Sequence, residues 1–255
     1  MDRKKQLNIT SLITALLLSS GTNADKLDIK PFFNSDSKTG VFFEKRPELN
    51  SANDFLALQE KAWEFDGADL EHKKTGNKKT GNKKTGNKKA TNCKTLNKLL
   101  KEGYTVVKVY EYKVVSARSV ICSMWKEMAS FKPYSISFMN NLSLNKKFAI
   151  KAPARFALLI SNEEIKKAES ADSWNSMSQI KKVEPVSDVQ AIYNDDSGGT
   201  QKLTLMAKGD YNGDGIEDWL LHMANSVEGG SYSSTILYII TRTTADGPIS
   251  LLKEI

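Results

Sequence analysis

Between Lys73 and Asn92 the chain runs Lys-Lys-Thr-Gly-Asn three times and then Lys-Lys-Ala-Thr-Asn. A five-residue period matches neither the helical turn nor the two-residue alternation of a strand. The segment also lacks any large apolar side chain, so nothing it buries could offset the entropy of ordering it. A disordered linker is expected over residues 73–92. Any core must come from the flanking stretches, residues 25–72 and 93–255.

The same segment accounts for the protein's basicity. The 255 residues carry a formal net charge of +7. Lys73, Lys74, Lys78, Lys79, Lys83, Lys84, Lys88 and Lys89 more than supply it, with no acid among them. Without this tract and the first few residues, acids slightly outnumber bases. A uniformly basic polyanion binder is excluded.

Residues 1–24 have the three parts of a secretory signal. Arg3, Lys4 and Lys5 form a positive start, Leu7 to Leu18 an apolar stretch, and Thr22-Asn23-Ala24 a small-residue cleavage point. The apolar run is shorter than the roughly 20 residues of a spanning helix, and no later stretch approaches that length. The chain is expected to be periplasmic or secreted, with no transmembrane segment. In an oxidising compartment the only two cysteines, Cys93 and Cys122, are expected to form one disulfide.

Periodicity points to an α+β fold, in which mixed helices and strands precede a β-rich antiparallel meander over about residues 179–255. Phe55, Leu58, Ala62 and Phe65 recur at helical spacing behind a cap at Ser51, Asn53 or Asp54. Thr95 to Glu102 predicts a helix stopped by Gly103. Tyr104 to Val115 predicts a strand, with Val106, Lys108, Tyr110 and Tyr112 on one side. Ala117 to Ser130 is helical, its Ile121, Met124, Trp125 and Met128 forming a core face. Phe148 to Ile160 is strand-like despite Pro153. Ser161 and Glu164 form a capping box for a helix to about Ala171. Strands follow over Gln179–Tyr193 and Lys202–Lys253.

One motif carries chemistry. Asp210-Tyr211-Asn212-Gly213-Asp214-Gly215-Ile216-Glu217-Asp218 places hard oxygen donors at alternating positions, which can converge on one cation. Gly215 permits the turn and Asp218 closes the set. Three carboxylates and an amide, without Cys or His, favour Ca²⁺. An EF-hand is excluded, because its twelfth position is Leu221 and the flanks alternate as strands, with Leu203, Leu205 and Ala207 on one face. The loop resembles the calcium hairpins of FG-GAP and integrin-like repeats. That resemblance implies Asp210, Asn212, Asp214 and Asp218 as side-chain ligands, the Ile216 carbonyl as backbone ligand, and a structural Ca²⁺. It covers one copy of about 25 residues, so no propeller is implied.

The enzymatic inventory is thin. There is no G-x-S-x-G, no His-rich metal cluster and no glycine-rich phosphate loop, and His72 and His222 are expected to be solvated and packed, respectively. A hydrolase whose carboxylate site is assembled from distant residues is the alternative. The main expectation is a non-enzymatic binding protein, such as an immunity- or inhibitor-type protein, with a protein or envelope ligand as partner. The turn Glu228-Gly229-Gly230-Ser231 is read first as a plain hairpin turn and, as the alternative, as a contact point for such a partner. A second expectation is weak polyanion binding through Lys73–Lys89. Without Arg or aromatic residues in that tract, sequence-specific nucleic-acid recognition is not expected.

Overall fold

A computed structural model describes residues 28–72 and 87–255. The expected secretory leader, residues 1–24, and most of the lysine repeat lie outside these residues. In chain order the elements are β1 (Phe32–Phe33), α1 (Ala52–Leu58), β2 (Ala68–His72), β3 (Lys88–Ala90), α2 (Cys93–Lys101), β4 (Tyr104–Val106) and α3 (Tyr112–Met128). They continue with α4 (Lys146–Lys151), α5 (Asn162–Ser170) and α6 (Trp174–Met177). The C-terminal strands are β5 (Ile180–Ser187), β6 (Gln190–Asp195), β7 (Gly199–Gly209), β8 (Asp218–Val227), β9 (Ser233–Thr241) and β10 (Ser250–Glu254). The fold is α+β, as the periodicity predicted.

The six C-terminal strands form an antiparallel meander in the order β10-β9-β8-β7-β6-β5. β1 pairs with β7 where β6 has ended, Phe32 opposite Lys208. Successive side chains of β8 and β9 point to opposite faces, and each face has its own core. Leu220, Leu237 and Ile239 join Phe42, Phe43, Phe55, Trp125 and Met128 on one side. Trp219, Leu221, Met223, Tyr238 and Ile240 join Phe148, Phe156, Trp174 and Tyr193 on the other. Two-sided burial explains the largely apolar run Trp219–Met223, which only His222 interrupts. It also corrects the one-face reading of Leu203, Leu205 and Ala207. A bulge between Leu205 and Ala207 in the β7–β8 ladder moves Ala207 to the opposite core from Leu203 and Leu205.

A smaller sheet of order β3-β2-β4 lies in the N-terminal part. Here the last repeat copy departs from the expected linker, for Lys88–Ala90 pairs with β2 and Ala90 is fully buried. The departure follows the sequence, since this copy has Ala where the others have Thr and Thr where they have Gly. Asn92 then caps α2 by accepting from the Thr95 amide at 2.7 Å.

Three other expectations change. The helix capped by the Ser51–Asp54 box ends at Leu58, so Ala62 and Phe65 lie beyond it and Trp63 fills the core instead. The strand expected over Tyr104–Val115 stops at Val106, where its pairing with Leu70 ends. Tyr110 and Tyr112 are exposed, so their alternation has no core to serve. Burial at Val115, Cys122 and Trp125 follows helical spacing and draws the chain into α3 from Tyr112. The strand expected over Phe148–Ile160 is instead α4, capped by Asn145, followed by a 3₁₀ turn at Ala154–Phe156. Pro153 separates the two, and Phe148, Ala152 and Phe156 pack beneath the sheet. The capping box at Ser161 and Glu164 starts α5 where expected.

Cys93 at the start of α2 and Cys122 in α3 form the disulfide, their Cα atoms 5.3 Å apart and both residues fully buried. Replacing both with Ser should lower unfolding stability by roughly 3 kcal/mol in a urea titration, with an unchanged circular-dichroism spectrum at low urea. A loss well under 1 kcal/mol would show that the loop is already constrained without the bond.

Candidate functional site

The acidic loop joins β7 to β8, and its own amides shape it. Asp210 accepts N–H bonds from Gly213 at 2.6 Å and Asp214 at 3.2 Å through one carboxylate oxygen, and from Gly215 at 2.9 Å through the other. Asn212 accepts from the Asp214 amide at 3.0 Å, and Asp214 accepts from the Ile216 amide at 2.8 Å. Three successive side chains therefore hold the backbone in Asx-type turns. Gly213 and Gly215 occupy the left-handed region at φ +87° and +80°, where an L side chain would be strained.

The loop is fastened to the segment that leaves α3. Lys132 and Asp210 exchange backbone bonds, each of 2.9 Å, and the Glu217 amide donates to the Ile136 carbonyl at 2.8 Å. Glu217 is 2% exposed. Its carboxylate accepts from the Ser137 hydroxyl and from the Trp219 indole N–H, the latter at 3.0 Å. Sequence reasoning gave Glu217 no role, because an acid between Ile216 and Asp218 in a polar loop carries no signal of burial. Tyr211 is a second clamp, its hydroxyl donating to Glu127 of α3 at 2.7 Å.

Asp218, the first residue of β8, is fully buried. One carboxylate oxygen accepts the Tyr211 amide at 2.9 Å, whereas Oδ1 has no hydrogen-bond partner among the described residues. Desolvation pushes its pKa up to about 6, and the Asp214 charge adds to that. Thr241, its register partner on β9, and the loop amides pull the other way. No donor among the described residues reaches the Ile216 carbonyl.

Four of the five predicted ligands thus belong to one loop, and Asp218 lies buried at its closing end. The three carboxylates are not gathered together, and among the described residues no group of three or more His, Cys, Asp or Glu side chains is placed to hold a metal ion. The physical reason is local, since Asp210 and Asp214 are turned onto loop amides. The donor set is nevertheless hard oxygen throughout, and it retains an orphaned carboxylate oxygen and an uncommitted carbonyl. Hard oxygen donors of this kind are the type that Ca²⁺ takes.

The histidines offer no alternative centre. His72 lies in β2 with its ring edge-on to Tyr104, the centroids 5.1 Å apart. His222 lies in β8 between Thr204 and Leu237 on the adjacent strands. No family profile, no curated protein and no solved structure matches this chain. The likeness to FG-GAP hairpins therefore rests on the loop residues alone. No helix among the described residues is long and apolar enough to cross a membrane.

Burial lowers the His222 pKa to about 4 from an ordinary 6.5. The unfolded chain takes up a proton below pH 6.5 that the fold refuses until about pH 4. Stability from this group is therefore complete above pH 6.5 and lost as pH falls toward 4, by about 3 kcal/mol at most. His222→Phe should flatten the urea midpoint against pH across that window. An unchanged slope would assign the acid sensitivity to other groups.

Proposed function

We propose that this chain is an exported, non-enzymatic binding protein whose β7–β8 loop carries a structural Ca²⁺. One observation carries the metal reading. Asp218 is wholly buried and its pKa is raised, and its Oδ1 makes no well-formed hydrogen bond, with only the Thr241 hydroxyl opposite to offset the burial, an arrangement that a cation would relieve. Asp210, Asn212, Asp214, the Ile216 carbonyl and Asp218 would hold the ion. Binding requires Asp214 and Asn212 to turn inward from their amide partners. The ion would supply charge neutralisation and stiffness at the end of the sheet. Affinities of extracellular modules fall near 10⁻⁴ to 10⁻³ M.

Thermal melts test this directly. In about 10 mM Ca²⁺ the protein should gain roughly 1.4–2.7 kcal/mol over a chelator control, and Asp214→Ala should abolish the gain. Equal midpoints in calcium and chelator would remove the ion from the reading.

In support of the binding role, the expected leader over residues 1–24 would bring the chain to where envelope and extracellular partners occur. An immunity- or inhibitor-type protein fits this description. Immobilised full-length chain should retain one stoichiometric protein from an envelope extract. Recovery of no partner, together with hydrolysis of an envelope polymer by the purified chain, would favour the carboxylate hydrolase instead.

A further inference from the structure

A cleft of about 860 Å³ lies between α2, α3 and β10, and it meets the acidic loop only where Glu127 and Lys253 bond the Tyr211 hydroxyl. Lys94, Lys98 and Lys101 line it from α2. Their spacing of four and three residues sets them on one helical face along roughly 10 Å of axis. Lys126 of α3 lines the cleft as well. The folded body is mildly acidic overall, so this concentration of lysine is local.

The carboxylates that also line the cleft are already engaged. Glu127 holds Lys253 at 2.9 Å and accepts the Tyr211 hydroxyl. Glu254 is bound by both guanidinium nitrogens of Arg155, at 2.6 and 2.8 Å. Glu102 lies between Lys88 at 3.6 Å and Lys98 at 3.9 Å. Lys101 and Lys126, by contrast, have no ion-pair partner among the described residues, and both are exposed. Lys94 is paired with Glu60 at 2.6 Å, so the uncompensated positive charge of the cleft sits on Lys101 of α2 and Lys126 of α3.

We infer that this cleft binds an anionic polysaccharide, with Lys98, Lys101 and Lys126 meeting its acidic groups. Asn97 and Ser123 line the same cleft and supply an amide and a hydroxyl, groups that can both donate to and accept from sugar hydroxyls. No aromatic ring lines it, which leaves nucleic-acid bases without a stacking platform. Lysine heads on flexible stems act as point charges and suit irregularly placed anionic groups more than planar bidentate recognition. The inference stands apart from the calcium loop and places the polyanion site on the folded body rather than on the lysine repeat.

The test uses the full-length chain, in chelator, with a sulfated heparin hexasaccharide as probe and titration calorimetry as readout. Lys101→Gln combined with Lys126→Gln should weaken binding roughly tenfold and make its dependence on log salt shallower by about one to two counterions. Lys147→Gln combined with Lys181→Gln, on distant exposed surface, should leave both unchanged. A chain with Lys73, Lys74, Lys78, Lys79, Lys83 and Lys84 all changed to Gln should retain the cleft-dependent binding. Circular dichroism and urea midpoints like those of the parent verify that each variant is folded, and exposed Lys→Gln changes should preserve both. If the repeat variant loses binding while the cleft variant keeps it, the site belongs to the repeat and the inference fails. Tighter binding of a single-stranded oligonucleotide or an oligoglutamate of equal charge would overturn the polysaccharide class.

Discussion

Leu220 and Leu221 are neighbours in the chain yet lie in different cores, and the same holds for Ile239 and Ile240. This division follows from the two-residue period of a strand, which sends consecutive side chains to opposite faces. When both faces are apolar, both must be covered, and a meander alone cannot cover either. The preceding chain supplies the cover. α1 and α3 carry Phe55, Trp125 and Met128 to one face, while α4, α6 and the 3₁₀ turn carry Phe148, Trp174 and Phe156 to the other. The stacking of Phe156 on Tyr238, with centroids 4.1 Å apart, is one such contact across the interface.

The elements legible in the sequence were those whose local and tertiary signals agree. The helix around Trp125, the α5 capping box and the C-terminal strands combine periodicity with burial or capping of the same residues. The failures occurred where the two signals part. Tyr104–Val115 alternates well, but tertiary contacts reward only Tyr104–Val106, and the disulfide at Cys122 secures the helix that follows. Phe148–Ile160 has strand composition, yet Asn145 caps a helix and Pro153 ends it. The β7 bulge at Met206 was invisible because an extra residue in a ladder leaves no mark on composition.

The candidate site shows a similar division. Spacing identified the aspartates and the turn, because Asx turns and ion loops both need short carboxylates at alternating positions. Spacing could not decide which partner those carboxylates take. Three amide bonds to Asp210 hold the turn in place, so the loop does not require an ion to keep its path. Asp218, the first residue of β8, retains an unmet demand, as does the Thr241 hydroxyl opposite it. A cation there would act on the junction of β7 and β8 at the end of the sheet.

The lysine repeat illustrates how little ordering depends on composition alone. β2 and β3 pair antiparallel with the repeat as their connection. Lengthening such a connection costs only about 0.6 kcal/mol per doubling, so whole copies can be gained or lost without disturbing the strands they join. The final copy is under a different constraint. Its Ala90 side chain is buried, the Thr91 carbonyl accepts the Trp63 amide at 2.8 Å, and Asn92 caps the helix that carries Cys93. Two substitutions in the motif, Ala for Thr and Thr for Gly, mark the copy that contributes β3 to the disulfide-bonded core.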